Sequence, residues 1–185
     1  STCSDGRMSP LQIVDVIKDS KLSAFSITDH DTIDGYLEAE SYAKEHEIKL
    51  IPGVEITASM DEKEVHILAY YFDPQSISLN KLLMAQRVGR RERIKGIIKT
   101  LIDLGLEIDY EEVRAEANGA NIGRPHVAQV LIHKGYVGNY FEAFSKFYEN
   151  GWPLLKAKRF LLAFYFVIIS GPIKYVGRKV ERMGT

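Results

Sequence analysis

Two short runs, Ile27-Thr28-Asp29-His30-Asp31 and Gly53-Val54-Glu55-Ile56-Thr57, each set a metal-binding side chain directly behind a strand-like apolar stretch. Side chains of that kind at the ends of neighbouring strands point to one site assembled at one edge of a sheet. Upstream, Ser4-Asp5-Gly6 adds a carboxylate in a tight turn, and downstream Val65-His66-Ile67-Leu68 puts an imidazole inside a run of β-formers. Asp5, His30, Glu55 and His66 are therefore the candidate metal ligands. Each has a plainer reading alone: Asp5 as a turn former, either histidine as a hydrogen-bonded core residue, Glu55 as an exposed strand position. Their conjunction in one short stretch is what the metal reading explains.

A shell that mixes imidazole and carboxylate suits Mn²⁺, Zn²⁺ or Fe better than Mg²⁺ or Ca²⁺, which prefer oxygen throughout. The chemistry expected of such a shell is activation of water. A bound ion lowers the pKa of its water, and clustered ions hold both the attacking and the leaving oxygen of a phosphate ester.

The surrounding pattern is α/β. Ser9-Pro10 combines a cap with proline at the first helical position, and Leu11, Val14 and Ile17 supply an apolar face. Residues 24–28 read as a strand, Asp31-Thr32 precedes a second amphipathic helix to about Glu47, and 50–51 with 54–59 read as extended chain. Strand alternating with helix predicts parallel βαβ organisation. Residues 61–63 read as a turn into a strand over 64–72, closed by Asp73-Pro74. From Ser78 the pattern becomes helical. Leu82, Leu83, Ile94, Ile97, Ile98, Leu101 and Ile102 recur at helical spacing, and Gly105 is placed to cap the end. Shorter helices are predicted over 110–116, 125–134 and 140–148. Arg87, Arg90, Arg91 and Arg93 crowd one helix; they are either a solvated face or, if turned to a site, guanidinium clamps for phosphate.

These motifs resemble the PHP (polymerase and histidinol phosphatase) metal-dependent phosphoesterases. In that family a strand ending in His-x-His precedes a Ser-Asp-Gly, then a Thr-Asp-His, a Gly-Val-Glu and a strand histidine; here Ser4-Asp5-Gly6, Thr28-Asp29-His30, Gly53-Val54-Glu55 and His66 follow in that order. The leading His-x-His is absent, and by family spacing its second histidine would stand directly before Ser1. Ile122-Gly123-Arg124-Pro125-His126 resembles the Gly-Arg-Pro-His signature of the branch that holds nucleoside phosphatases and 5′-to-3′ exoribonucleases. The resemblance implies a partial, distorted (β/α)7 barrel with an α-helical insertion over its mouth, with His30 and Glu55 at the C-terminal ends of their strands. It implies a phosphorylated nucleotide or RNA 5′ end as substrate and two or three divalent ions in the complete site. Arg124 and His126 would flank a phosphate pocket, since Pro125 suits the first turn of a helix whose free N–H groups attract anions. The same motif also reads simply as a turn and a cap.

The implied organisation is an N-terminal barrel part over 1–74, a helical insertion over 75–151 and an atypical tail over 152–185. The family's later His-Pro strand and Asp-x-His are absent. In their place stands Phe160-Leu161-Leu162-Ala163-Phe164-Tyr165-Phe166-Val167-Ile168-Ile169, shorter than the roughly 20 residues that span a membrane. Lys156, Lys158, Arg159, Lys174, Arg178, Lys179 and Arg182 oppose only Glu181 across this tail. The break in pattern is expected if the reading frame ended or shifted between Trp152 and Phe160, leaving a truncated and inactive chain. The alternative to an enzyme is a non-catalytic remnant that keeps partial metal or nucleic-acid binding.

Composition fits an ordinary cytoplasmic protein. The chain is 45% hydrophobic and 26% charged, and a formal net charge of −1 gives no overall field for polyanions. Cys3 stands alone, so no internal disulfide forms. No protein partner and no membrane association are implied.

Overall fold

The computed structural model describes residues 1–149 apart from 21, 23, 61 and 62. The expected turn at Asp61 and Glu62 and the whole 152–185 tail lie outside the described residues.

The elements run α1 (Pro10–Asp19), β1 (Ala24–Phe25), α2 (Asp34–Glu45), β2 (Lys49–Leu50), β3 (Gly53–Met60), β4 (Lys63–Tyr70), α3 (Ile77–Asp103), α4 (Tyr110–Ala117), α5 (Arg124–His133) and α6 (Tyr140–Glu149). Local chemistry fixes the helix ends. At α1, the Ser9 hydroxyl accepts from the Gln12 N–H while the Gln12 side chain accepts from the Ser9 N–H, a complete capping box with Pro10 behind it. Asp109 and Glu112 make the same reciprocal cap at α4. At the end of α3, Gly105 takes φ 85°, its N–H bonds the Ile102 carbonyl, and the Leu106 N–H bonds that of Leu101. That is a Schellman stop, and its left-handed residue is glycine because a Cβ there is strained.

The sheet corrects the sequence reading. β1 and β2 pair in parallel across the α2 crossover, as a βαβ unit should, but β3 and β4 form an antiparallel hairpin with Met60 paired to Lys63. Two residues between the paired strands leave no room for the crossover that parallel pairing needs. The two sheets touch through one parallel bridge, His30 to Glu55. Among the described residues these strands close no barrel. The fold is mixed α/β.

Three cores hold this together. Val14, Ile27, Ala39, Ala43 and Ile48 pack between α1, α2 and the parallel pair. Ile33, Val54 and Leu83, with Ile56, Ala69 and Leu79, join one face of the hairpin to the first turns of α3. The largest core lies among the helices, from Ile94, Ile97, Ile98 and Leu101 of α3 to Val113, Val127, Leu131 and Ala143. At about 1.5 to 3 kcal/mol for each large apolar side chain removed from water, this helical core is the strongest packing contribution in the described chain. No helix of the described residues is long and apolar enough to cross a membrane.

Candidate metal centre

Pairing in the hairpin decides what faces the site. Thr57 lies opposite His66 and Glu55 opposite Leu68, so Glu55, Thr57 and His66 share one face, while Val54, Ile56 and Ala69 line the buried one. His30 arrives on the same side because its backbone pairs with Glu55. The Glu55 N–H donates to the Asp29 carbonyl at 3.1 Å, and the Asp31 N–H donates to the Glu55 carbonyl at 2.8 Å. Glu55 is the third residue of β3, so it does not stand at a strand end as expected, while His66, the fourth of β4, lies inside its strand. The hairpin continues past both because antiparallel pairing carries each strand through the site.

Asp5 comes from the opening loop. The Ser4 and Gly6 N–H groups both donate to the Ser1 carbonyl, and a Cβ on Gly6 would lie 2.8 to 2.9 Å from the Ser1 backbone, so only glycine fits this turn. The loop is anchored by Asp29, whose buried carboxylate accepts from the Ser1 and Ser4 hydroxyls at 2.6 and 2.9 Å.

The structure thus brings all the expected ligand residues together. His30 Nε2 lies 3.8 Å from Asp5 Oδ2 and 3.8 Å from Glu55 Oε2, and His66 Nδ1 lies 3.5 Å from Glu55 Oε1. The two imidazole rings meet edge to face with centroids 5.0 Å apart. One donor atom each from His30, Glu55 and His66 falls within 4.8 Å of the others. Separations of 3.8 Å are too long for hydrogen bonds. They are close to the roughly 3.4 Å edge of a tetrahedron with bonds of about 2.1 Å. Among the described residues the buried His30 Nδ1 has no hydrogen-bond partner. Burial pushes the His30 pKa below its ordinary value against the pull of Glu55, with Arg90 adding to the depression. A neutral ring of that kind has a lone pair to offer a cation. The donor set therefore fits a divalent ion.

Around this cluster lies a second set of residues, of which sequence reasoning had singled out only Arg87 and Arg90. Asp31 is fully buried with φ 53°, a left-handed conformation uncommon outside glycine and asparagine-like residues. Its carboxylate accepts the Thr57 N–H at 2.7 Å, the Thr57 hydroxyl at 2.8 Å, and Arg90 Nε and Nη2 at 3.1 and 2.9 Å. Arg87 holds the Asp31 carbonyl at 3.2 Å, the Thr32 hydroxyl and the Asp34 carboxylate. Arg87 and Arg90 are thus neither a solvated helix face nor open phosphate clamps, because both are turned inward onto the His30 turn. Asn121 completes the joint: its side chain donates to the His30 carbonyl at 2.7 Å and its N–H to the Cys3 carbonyl at 2.9 Å.

The Gly-Arg-Pro-His segment opens α5, with Gly123 at the N-cap and Arg124 at the first helical position, one residue earlier than expected. The Gly123 N–H donates to His126 Nδ1 at 2.9 Å, so the ring caps its own helix. Burial holds the His126 pKa below its ordinary value, partly offset by the Asp5 carboxylate. His126 and Asp5 line the same cavity of about 1020 Å³, with Arg7, Gln129 and Tyr140 among its other lining residues. Arg124 is half-buried and is not among the described residues that line it.

Known proteins share this arrangement of sequence and fold. A 5′-3′ exoribonuclease of Haemophilus influenzae is 35% identical over 151 residues, which are 82% of this chain and 55% of that protein. A 3′,5′-nucleoside bisphosphate phosphatase of Chromobacterium violaceum is 30% identical over 83% of this chain and 54% of its own length. The chain spans about half the length of the curated relatives it matches. Among solved structures, a Bifidobacterium adolescentis protein provisionally assigned as a metal-dependent phosphoesterase superposes with TM-score 0.70 at 31% identity, covering 78% of this chain and 51% of that one. An amidohydrolase from Chromobacterium violaceum, solved with bound sulfate and no metal, gives TM-score 0.71 at 28% identity over the same shares. The PHP domain model matches residues 1–150, and the chain belongs to the PHP domain family.

Proposed function

We propose that this chain carries the first part of the metal site of a phosphoesterase that hydrolyses phosphate esters of nucleotides or RNA 5′ ends. Asp5, His30, Glu55 and His66 are its ligands, and Arg124 and His126 serve the substrate phosphate. The observation that supports this most is the convergence of those ligand groups at 3.5 to 3.8 Å on one face of the β3–β4 hairpin. The relatives named as exoribonuclease and bisphosphate phosphatase supply the substrate class. On this reading the α3–α6 helices are an insertion beside a (β/α)7 barrel, the ion is Mn²⁺, Zn²⁺ or Fe, and the setting is cytoplasmic.

When bound, such ions stabilise phosphoryl oxygens as Lewis acids and acidify water. The chain's own residues do the rest. Asp29 and the Gly6 turn fix the loop that presents Asp5, and the backbone bridge fixes His30 against Glu55. His126, capped onto Gly123, lines the cavity that Asp5 also lines. A phosphate between them meets the N-terminus of α5, where free N–H groups favour an anion.

The test is calorimetric titration of the metal-stripped chain with Mn²⁺ and Zn²⁺, followed by phosphate release from adenosine 3′,5′-bisphosphate and from 5′-phosphorylated RNA. Metal binding lost in Asp5→Asn and Glu55→Gln supports the ligand set. No binding by the unaltered chain overturns it. Binding without turnover supports the second reading, a metal-binding but non-catalytic remnant.

A further inference from the structure

We propose that Arg90, acting through Asp31 and Thr57, is a positioning residue that holds the His30 and Glu55 ligands at their working separation. This rests on the metal reading above and extends it to residues that touch no ion.

The geometry carries the argument. His30 and Asp31 are adjacent, so the peptide that carries the imidazole ends at the residue Arg90 grips through its carboxylate. Thr57 stands two residues beyond Glu55 on the same strand face, and Asp31 binds both its N–H and its hydroxyl. Arg90 Nη2 reaches the Thr57 hydroxyl as well, at 3.0 Å. One guanidinium therefore ties the His30 turn to β3 beside Glu55, and the left-handed turn at Asp31 is held by those bonds. The same guanidinium packs against the Gly123 turn: a Cβ placed on Gly123 would lie 3.2 Å from Arg90 Nη1. Arg90 thus spans three segments, those carrying His30, Glu55 and His126. Its side chain is 11% exposed and that of Asp31 is 1% exposed, so water does not substitute for either partner. A point charge on a flexible stem cannot reproduce this fork.

The experiment measures Mn²⁺ affinity of the metal-stripped 185-residue chain by calorimetry, well below each variant's melting temperature. Groups that orient metal ligands cost roughly 10- to 100-fold in affinity when altered, and that loss is expected of Arg90→Lys and Thr57→Val. Thr57→Ser keeps the hydroxyl and is expected to bind as the parent does. Arg87→Ala removes a comparable bond from α3 to the same turn but leaves the Asp31 carboxylate alone, so it is expected to lower the melting temperature without moving the affinity. Parent-like Mn²⁺ affinity in both Arg90→Lys and Thr57→Val overturns the proposal, as does an equal loss in Arg87→Ala, which would assign the effect to helix docking in general. Absence of Mn²⁺ binding by the unaltered chain is a separate result: it overturns the ligand set itself, and with it anything for Arg90 to position.

Discussion

His30 and Glu55 meet twice, once through a parallel backbone bridge and once through side chains whose Nε2 and Oε2 stand 3.8 Å apart. The first contact sets the second, since a bridge that fixes both Cα positions leaves only side-chain rotamers to bring the donors to one centre. The consequence is that the proposed ligand pair forms with the fold and does not need an ion to assemble it.

Glu55→Gln keeps the shape and removes the charge. Mn²⁺ affinity is expected to fall by at least roughly tenfold while the melting temperature of the metal-free chain stays within a few degrees, because the hairpin ladder is untouched. Calorimetry paired with thermal melts checks both halves. A large drop in melting temperature with retained affinity would give Glu55 a structural role instead.

For Arg124, loss of a charge-assisted bond to phosphate is expected to raise KM for adenosine 3′,5′-bisphosphate about tenfold or more in Arg124→Ala, with kcat much less affected. Steady-state kinetics on a chain that turns over, this one or one extended to the length of its relatives, decide the matter. Unchanged KM removes Arg124 from the substrate site.

Folding stability should depend on pH through His126. Burial lowers its pKa from 6.5, so as pH falls the unfolded chain takes up a proton on this ring before the folded chain does. Stability is therefore complete above pH 6.5 and declines as pH drops below it towards the lowered folded value. His126→Gln retains a group able to accept from the Gly123 N–H at the third helical position and does not titrate. Urea unfolding of the metal-free chain at pH 7.5 and 5.5 is expected to show a smaller difference in this variant than in the parent. An identical difference in both would mean that His126 contributes nothing to the pH dependence.

Gly105→Ala tests the α3 stop. A left-handed residue other than glycine costs about 1 to 2 kcal/mol, and Gly105 sits at φ 85° in open space, so strain is the whole effect. The unfolding free energy from denaturant titration is expected to fall by that amount with metal affinity unchanged; parent stability would show that the turn rearranges freely.

How much of this was legible in the sequence depends on how local each signal is. The cap at Ser9, the Gly105 stop and the helices that follow or precede them are written in residues a few positions apart, and they read correctly; the Asp109 cap is just as local but went unread. The candidate ligands were visible because each sits in its own short motif. The strand pairing was read in part: alternation of strand and helix predicted the parallel pair of β1 and β2, but the turn read over 61–63 was not carried through to the antiparallel hairpin that the short link between Met60 and Lys63 requires. Arg90 and Asp31 were beyond reach for another reason. They are separated by 59 positions, and nothing in a run of arginines on one helix says which of them will turn inward until the packing of that helix on β3 is known. Asn121, which meets the His30 carbonyl across 91 positions, belongs to the same class.

The uninterrupted course of α3 has a consequence for how this chain can vary. Its first turns seat Leu79 and Leu83 beneath the hairpin, its middle presents Arg87 and Arg90 to the His30 turn, and its last third sends Ile94 to Leu101 into the helical core. Each residue added to or removed from a helix rotates everything beyond it by about 100° and shifts it by 1.5 Å. A single insertion between Leu83 and Arg87 would swing both arginines off their partners and the isoleucines out of their core together. The stretch is locked in phase and in length: even a seven-residue step, which restores the facing after two turns, would carry the arginines about 10.5 Å past their partners.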